Sequence, residues 1–183
     1  MRLLLHACCA NCAIHPVRSL RDRGVEPSLL WFNPNIHPLE EYHRRLQALW
    51  RLQERWALRV LYRAEYGLKD FLRAVGEDTQ EGARCRACYR LRLLETARLA
   101  KALRMDAFGS TLLSSPYQKF DIILAAAQEA EALHRVPFYF EDFRGGYREA
   151  LGVGKQMGLY RQRYCGCIFS ERERFHGRSS GNR

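Results

Sequence analysis

Seven cysteines and their placement limit this chain more than any other feature of its 183 residues. They fall in three short segments: Cys8, Cys9 and Cys12; Cys85 and Cys88; Cys165 and Cys167. A chain that used cysteine as a small apolar filler would scatter it. Clustering of this kind asks for a fold that carries three distant segments to one place, where thiolates can share a metal. An odd count argues against a closed disulfide framework. No apolar run approaches the ~20 residues needed to cross a bilayer. The N-terminal apolar run is too short for a signal peptide and lacks a cleavage-like site. These features predict a cytoplasmic protein that does not enter a membrane, and in a reducing compartment clustered cysteines point to metal or redox chemistry.

The pattern between the cysteines is that of an α/β domain. Apolar runs at 2–6, 27–32, 58–62, 107–112 and 136–140 read as five strands. Helical spacing occupies 13–23, 38–56, 68–75, 88–103, 121–133 and 147–157, with one or two further helical turns at 170–175. On the helix at 38–56, Leu39, Tyr42, Leu46, Leu49, Trp50 and Trp56 form the inward stripe. Strands that alternate with helices predict a mostly parallel, five-stranded, Rossmann-like sheet flanked by helices. Residues 1–175 are expected to form a single catalytic domain, with 176–183 a disordered tail rich in Gly, Ser and Arg.

In parallel sheets the site lies beyond the carboxyl ends of the strands. The cysteine triplet, Asn33-Pro-Asn35, Ser110-Thr111 and Asp142-Phe-Arg144 each follow or close a predicted strand. All four should therefore crowd one edge of the sheet.

The formal net charge is +10, and the basic residues are nearly all Arg; the lysines are Lys69, Lys101, Lys119 and Lys155. The planar guanidinium grips phosphate in a bidentate way, so a polyanion, with nucleic acid the leading candidate, is the expected partner. Arg161, Arg163, Arg172 and Arg174 crowd the last cysteine pair, as a solvated face or a phosphate grip.

Seven thiols exceed the four of a structural all-thiolate zinc site, and they fit four for a cubane cluster plus three for a second centre. A zinc site with spare thiols is the alternative, since both metals accept all-thiolate sites. Cys85-Arg-Ala-Cys88 reads as a pair at a helix start, where the helix N-terminus favours thiolate charge. Adjacent Cys8 and Cys9 point different ways in any regular backbone and so are expected to serve different centres. His6 reads as a satisfied core histidine, and His37 and His43 as surface residues. Asp121 is either a helix-start charge or a catalytic acid.

Six segments together resemble the QueH-type epoxyqueuosine reductases over Leu3 to about Phe175: His6-Ala-Cys-Cys-Ala-Asn-Cys12, Asn33-Pro-Asn-Ile-His-Pro38, Cys85-Arg-Ala-Cys-Tyr-Arg-Leu-Arg92, Ser110 to Lys119, Asp142 to Arg148, and Tyr160 to Cys167. Asn11 stands where that family usually has proline. The resemblance implies reduction of epoxyqueuosine to queuosine at the tRNA wobble base, a [4Fe–4S] cluster, and an adjacent mononuclear iron. It implies a fold similar to the nucleotide-binding domains of other tRNA-modifying enzymes. The Ser-Gly-Gly-x-Asp-Ser phosphate loop of the ATP-using members is missing, so no ATP is expected, and no cobalamin. The partners would be a tRNA anticodon stem-loop and an external electron donor. Cys9, Cys85, Cys88 and Cys167 are assigned to the cluster, and Cys8, Cys12 and Cys165 to the second iron, because the Cys-x-x-Cys pair belongs together and the two close-set groups contribute to both centres. Substrate contacts are expected from Asn33, Asn35, Tyr89, Arg92, Ser110, Thr111, Tyr117, Gln118, Asp142, Arg144 and Tyr147, with the aromatics and Arg144 for base stacking. The competing readings are a cluster-dependent tRNA thiolation enzyme, which would need ATP, and a zinc-stabilised RNA-binding module.

Overall fold

A computed structural model of the chain describes residues 1–176. The chain runs β1 (Leu3–His6), α1 (Ala10–Asp22), β2 (Ser28–Trp31), α2 (Leu39–Trp56), β3 (Arg59–Tyr62), α3 (Leu68–Val75), α4 (Glu81–Ala102), β4 (Ala107–Ser110), α5 (Phe120–His134), α6 (Tyr147–Gln156) and α7 (Ile168–His176). Short 3₁₀ turns at Thr111–Ser114 and Phe143–Gly146 follow β4 and precede α6. The four strands are all parallel, in the order β3-β2-β1-β4. Helices cover both faces, which is why β1, β2 and β4 are buried throughout and largely apolar, with polar residues (His6, Ser28, Ser110) only at their ends.

The pleat divides the core. Leu3 and Leu5 of β1, with Leu29 and Trp31 of β2, pack against α1, α2 and α6. Leu4 and Leu30 face the other way, against α4, α5 and Phe108. A smaller apolar cluster joins Phe71 and Val75 of α3 to Cys88 and Cys167. That cluster draws the last cysteine pair onto α4. Of the stripe expected on α2, Tyr42, Leu46 and Leu49 are buried, whereas Leu39 and Trp50 are each 45% exposed. Trp50 stands edge-on to Tyr62 of β3.

Three expectations are corrected. The fifth strand at 136–140 does not form: a single parallel bridge pairs Phe108 with Phe138. The bridge rests on two bonds, Phe108 N–H to the Pro137 carbonyl (3.0 Å) and Tyr139 N–H to the Phe108 carbonyl (2.7 Å). Pro137 has no N–H with which to extend it into a ladder, and the N–H of Phe138, on the side away from β4, goes to the Glu131 carboxylate. Helix α4 begins at Glu81, not near Cys88, so Cys85 and Cys88 lie in its second and third turns. The macrodipole benefit, confined to the first turn, does not reach Cys88. His176 closes α7, while the rest of the expected tail lies outside the described residues. Among the described residues no helix is long and apolar enough to cross a membrane.

Candidate metal centre

The strand order reverses at β1, with β2 on one side and β4 on the other. A crevice opens at such a switch point beyond the strands' carboxyl ends. Cys8, Cys9 and Cys12 fill it, their Sγ atoms all within 4.8 Å of one another. Cys9 is the N-cap of α1: its backbone is extended, and its Sγ accepts from the Cys12 N–H at 3.3 Å. Gln162 donates to the same sulfur at 3.0 Å. Side-chain hydrogen bonds from Cys12, then from Cys8, hold the Cys9 thiol well below the usual range against the cost of burial. Cys8 and Cys9 push Cys12 up. The helix N-terminus expected under Cys85-Arg-Ala-Cys88 thus lies instead under Cys9-Ala-Asn-Cys12, where it favours thiolate charge at Cys9.

The crevice is tied across the sheet. Thr111 accepts from the Cys8 N–H at 3.0 Å and donates to Cys8 Sγ at 3.3 Å. Asn33, beyond β2, donates to the Ala7 carbonyl at 2.9 Å. His6 is fully buried; its ring bonds Ser110 Oγ (3.0 Å) and the Phe32 carbonyl (3.2 Å). Burial first, then the nearby Arg92 charge, lowers its pKa to about 3, so the ring is neutral. The expectation of a satisfied core histidine holds.

The remaining thiols lie on α4 and the segment before α7. Cys88 and Cys167 share one apolar cluster, and Cys165 Sγ is 4.0 Å from Cys167 Sγ. Gly166 between them has φ +132°, a conformation L side chains rarely adopt, and a Cβ there would press on Arg45, Asn35 and Ile36 at 3.2–3.3 Å. Its carbonyl accepts from the His37 N–H at 2.8 Å. Buried Arg45 donates to the carbonyls of Tyr164 and Cys165, each at 3.0 Å, while paired to Glu41 at 2.7 Å. Arg84 on α4 clamps Glu173 on α7 through bonds of 2.7 and 2.5 Å. Burial, then the charges of Cys165 and Cys88, raise the Cys85 thiol to about 11.

His37 corrects the surface assignment. It is fully buried, bonded to the Pro34 carbonyl at 3.0 Å, and its Nδ1 accepts from the Ile168 N–H at 3.4 Å. His43 is exposed as expected. Sequence reasoning also missed Arg45 and Gln162. A signal for Arg45 was present: it sits three residues after Tyr42 and four before Leu49, on the inward stripe of α2.

Other candidate side chains divide into inward and outward sets. Tyr89 and Arg92 are each 3% exposed. The Tyr89 hydroxyl donates to Gln118 at 2.7 Å and accepts from the Lys119 N–H at 3.2 Å, so it anchors the loop before α5. Asn33 and Asn35 are buried, each with a side-chain oxygen that has no partner. Tyr117 is 78% exposed and stands edge-on to Tyr147, centroids 6.1 Å apart. Arg144 pairs with Asp142 and lies 4.2 Å over the Phe120 ring. Asp121 is exposed in the first turn of α5, where it complements the helix dipole. Arg161, Arg163, Arg172 and Arg174 are exposed, and none joins an ion pair among the described residues. A groove of ≈ 930 Å³ runs along the outer face of α4 past Arg63, Arg86, Arg90 and Arg98 and is lined by no cysteine.

The donor set suits a soft metal ion or an iron–sulfur cluster: seven free thiols, three of them already converged. Residues 3–173 match the family described as epoxyqueuosine reductase QueH. The chain belongs to the QueH family. Among QueH relatives, the epoxyqueuosine reductase QueH of Dehalococcoides mccartyi is 34% identical over 174 residues, covering 95% of this chain and 94% of that one. The protein of the same name from Thermotoga maritima is 35% identical over 180 residues, covering 94% and 91%. The cysteine-bearing segments all lie inside the matched QueH span.

Proposed function

We propose that this chain is an epoxyqueuosine reductase that acts on tRNA. The reaction removes the epoxide oxygen from epoxyqueuosine at the wobble position. It takes up two electrons and two protons, leaves an alkene, and releases the oxygen as water. Membership of the QueH family supports this reading, and the observation that carries it is the convergence of Cys8, Cys9 and Cys12 at the switch point of the sheet.

The seven cysteines are read as ligands of a [4Fe–4S] cluster and an adjacent iron. Cys9, Cys85, Cys88 and Cys167 are assigned to the cluster, and Cys8, Cys12 and Cys165 to the iron; in a triad this compact, neighbouring thiolates can serve two adjoining centres. Bound there, these groups supply single electrons and a Lewis-acid position for the epoxide oxygen. The protein's own side chains do the rest. Thr111 and Gln162 hold Cys8 and Cys9 in place. Tyr117 and Tyr147 offer aromatic faces for unstacked anticodon bases, and the exposed arginines around Cys165 meet phosphates. The carboxamide oxygens of Asn33 and Asn35 are free to accept from substrate hydroxyls or its amine. Residues 1–175 act as one catalytic unit, and an external donor delivers the electrons.

The deciding experiment is anaerobic purification with iron, zinc and sulfide counts, followed by turnover on tRNA that carries epoxyqueuosine. A brown protein with more iron than one cubane holds, which forms queuosine when given a chemical reductant, is the expected result. A colourless zinc protein that binds tRNA without turnover would favour the zinc-stabilised RNA-binding module instead.

A further inference from the structure

Three arginines are buried around the thiols, and they are not alike. Arg45, 2% exposed, pairs with Glu41, and Arg84, 3% exposed, pairs with Glu173. Arg92, 3% exposed, has no carboxylate partner among the described residues. Its Nη2 donates to Cys88 Sγ at 3.1 Å, its Nε donates to the Cys88 carbonyl at 3.2 Å, and its guanidinium lies 5.4 Å from the centre of the Tyr89 ring. A guanidinium does not lose its proton in a protein. A buried cation with no counter-charge is strongly destabilising, so something in this interior must balance it.

The surroundings name the balancing group. Burial works against the Arg92 charge, and Cys88 first, then Tyr89, Cys8 and Cys165, sustain it. Three of these four groups are thiols, one from each cysteine segment. On its other side Arg92 helps to keep His6 neutral, so no second cation competes for the same sulfurs at the end of β1.

We propose that Arg92 is a positioning residue of the thiol centre: a permanent, buried cation whose counter-charge is the thiolate sulfur of the ligated cysteines. In this role it sets how much negative charge the cysteines, and whatever they bind, can hold. The inference rests on the reading of the cysteines as metal ligands. It adds what that reading does not contain, namely that a residue in direct contact with Cys88 tunes the centre and does not touch the tRNA.

The test compares wild type with Arg92→Met, Arg92→Gln and Arg92→Lys. Met matches the bulk without charge or donors. Gln is neutral and still donates, and Lys keeps the charge. Apo-proteins are titrated with zinc alone against a chromophoric chelator. Anaerobically reconstituted proteins are assayed for iron and sulfide and poised by redox titration. Both neutral variants should bind zinc at least tenfold more weakly. Where a cluster is present, they should favour its oxidised form at least tenfold, a potential lower by about 59 mV or more. Lys should stay nearer to wild type in both readouts.

Wild-type zinc affinity and potential in either neutral variant would overturn the proposal. Equal losses in Lys, Gln and Met would also overturn it, since packing and not charge would then be at work. Should Met fail to fold, Gln carries the same comparison. A wild-type chain that takes up zinc but never a cluster would overturn the iron–sulfur reading alone, and the zinc arm would still decide Arg92.

Discussion

At the scale of single residues, buried polar groups hold the strand-end loops in place. His37 shows how. Its ring has 0% relative exposure and links the Asn33–Pro38 turn to the start of α7. Burial, partly offset by the bond to the Pro34 carbonyl, lowers its pKa from 6.5 to about 4. A base with a lowered folded pKa must stay neutral in the fold, whereas the unfolded chain takes up a proton below about 6.5. The contribution is therefore complete above pH 6.5 and is lost as pH falls towards 4. Urea unfolding of the metal-free protein at a series of pH values should show His37 contributing a loss on the order of 2 kcal/mol across that window. His37→Gln should be less stable at pH 7 and have a flatter slope. An unchanged slope in that variant would assign the acid sensitivity to other groups.

At the scale of elements, the junction between α1 and the turn after β4 is specified by a proline. Pro16 lies inside α1 and has no N–H for the Cys12 carbonyl four residues before it. Ser114, from the 3₁₀ turn, donates to that carbonyl at 2.9 Å. The helix gives up an internal bond, and the turn that follows β4 is docked beside a thiol ligand. Ser114→Ala leaves the carbonyl without a donor and should cost about 1–3 kcal/mol. In a Pro16→Ala background the restored N–H takes over, so the same change should cost less than about 1 kcal/mol. Chemical denaturation of the four proteins of this double-mutant cycle measures the coupling. Equal costs in both backgrounds would show that Ser114 acts through some other contact. The same element scale explains two misread boundaries. Cys9 begins α1 earlier than its apolar periodicity suggests, because a thiol is an unusual N-cap. Helix α4 begins earlier than expected because Glu81-Gly-Ala-Arg carries no apolar stripe, and Arg84 is held by Glu173 from α7, a contact distant in the chain.

At the scale of the whole molecule, the charge of +10, the exposed Tyr117 and the half-buried Tyr147 belong to one surface reading. Tyr117, at 78% exposure, contributes little to folding. Tyr117→Ala should weaken binding of tRNA by about 1–3 kcal/mol, the range for a stacked base, with iron content and melting temperature unchanged. Arg163→Ala should instead lower the salt dependence of binding, by a slope of about 0.7 per lost phosphate contact to a single strand. Fluorescence titration at several salt concentrations separates the two. A Tyr117 variant that binds like wild type would remove the stacking role.

From the sequence alone came the α/β class, most of the parallel strands, the positions of most helices, and the three segments that carry the seven thiols. Hydrophobic period and residue clustering are local properties and can be read along the chain. Tertiary packing supplied the rest. It stopped the sheet at four strands, since Pro137 has no N–H to extend the single bridge at Phe138 into a ladder. It turned Tyr89 and Arg92 inward and drew His37 out of solvent. It set the helix N-terminus under Cys9 instead of Cys85. Each of these depends on partners tens of residues away in the chain, and a side chain's direction and charge balance exist only once those partners have met.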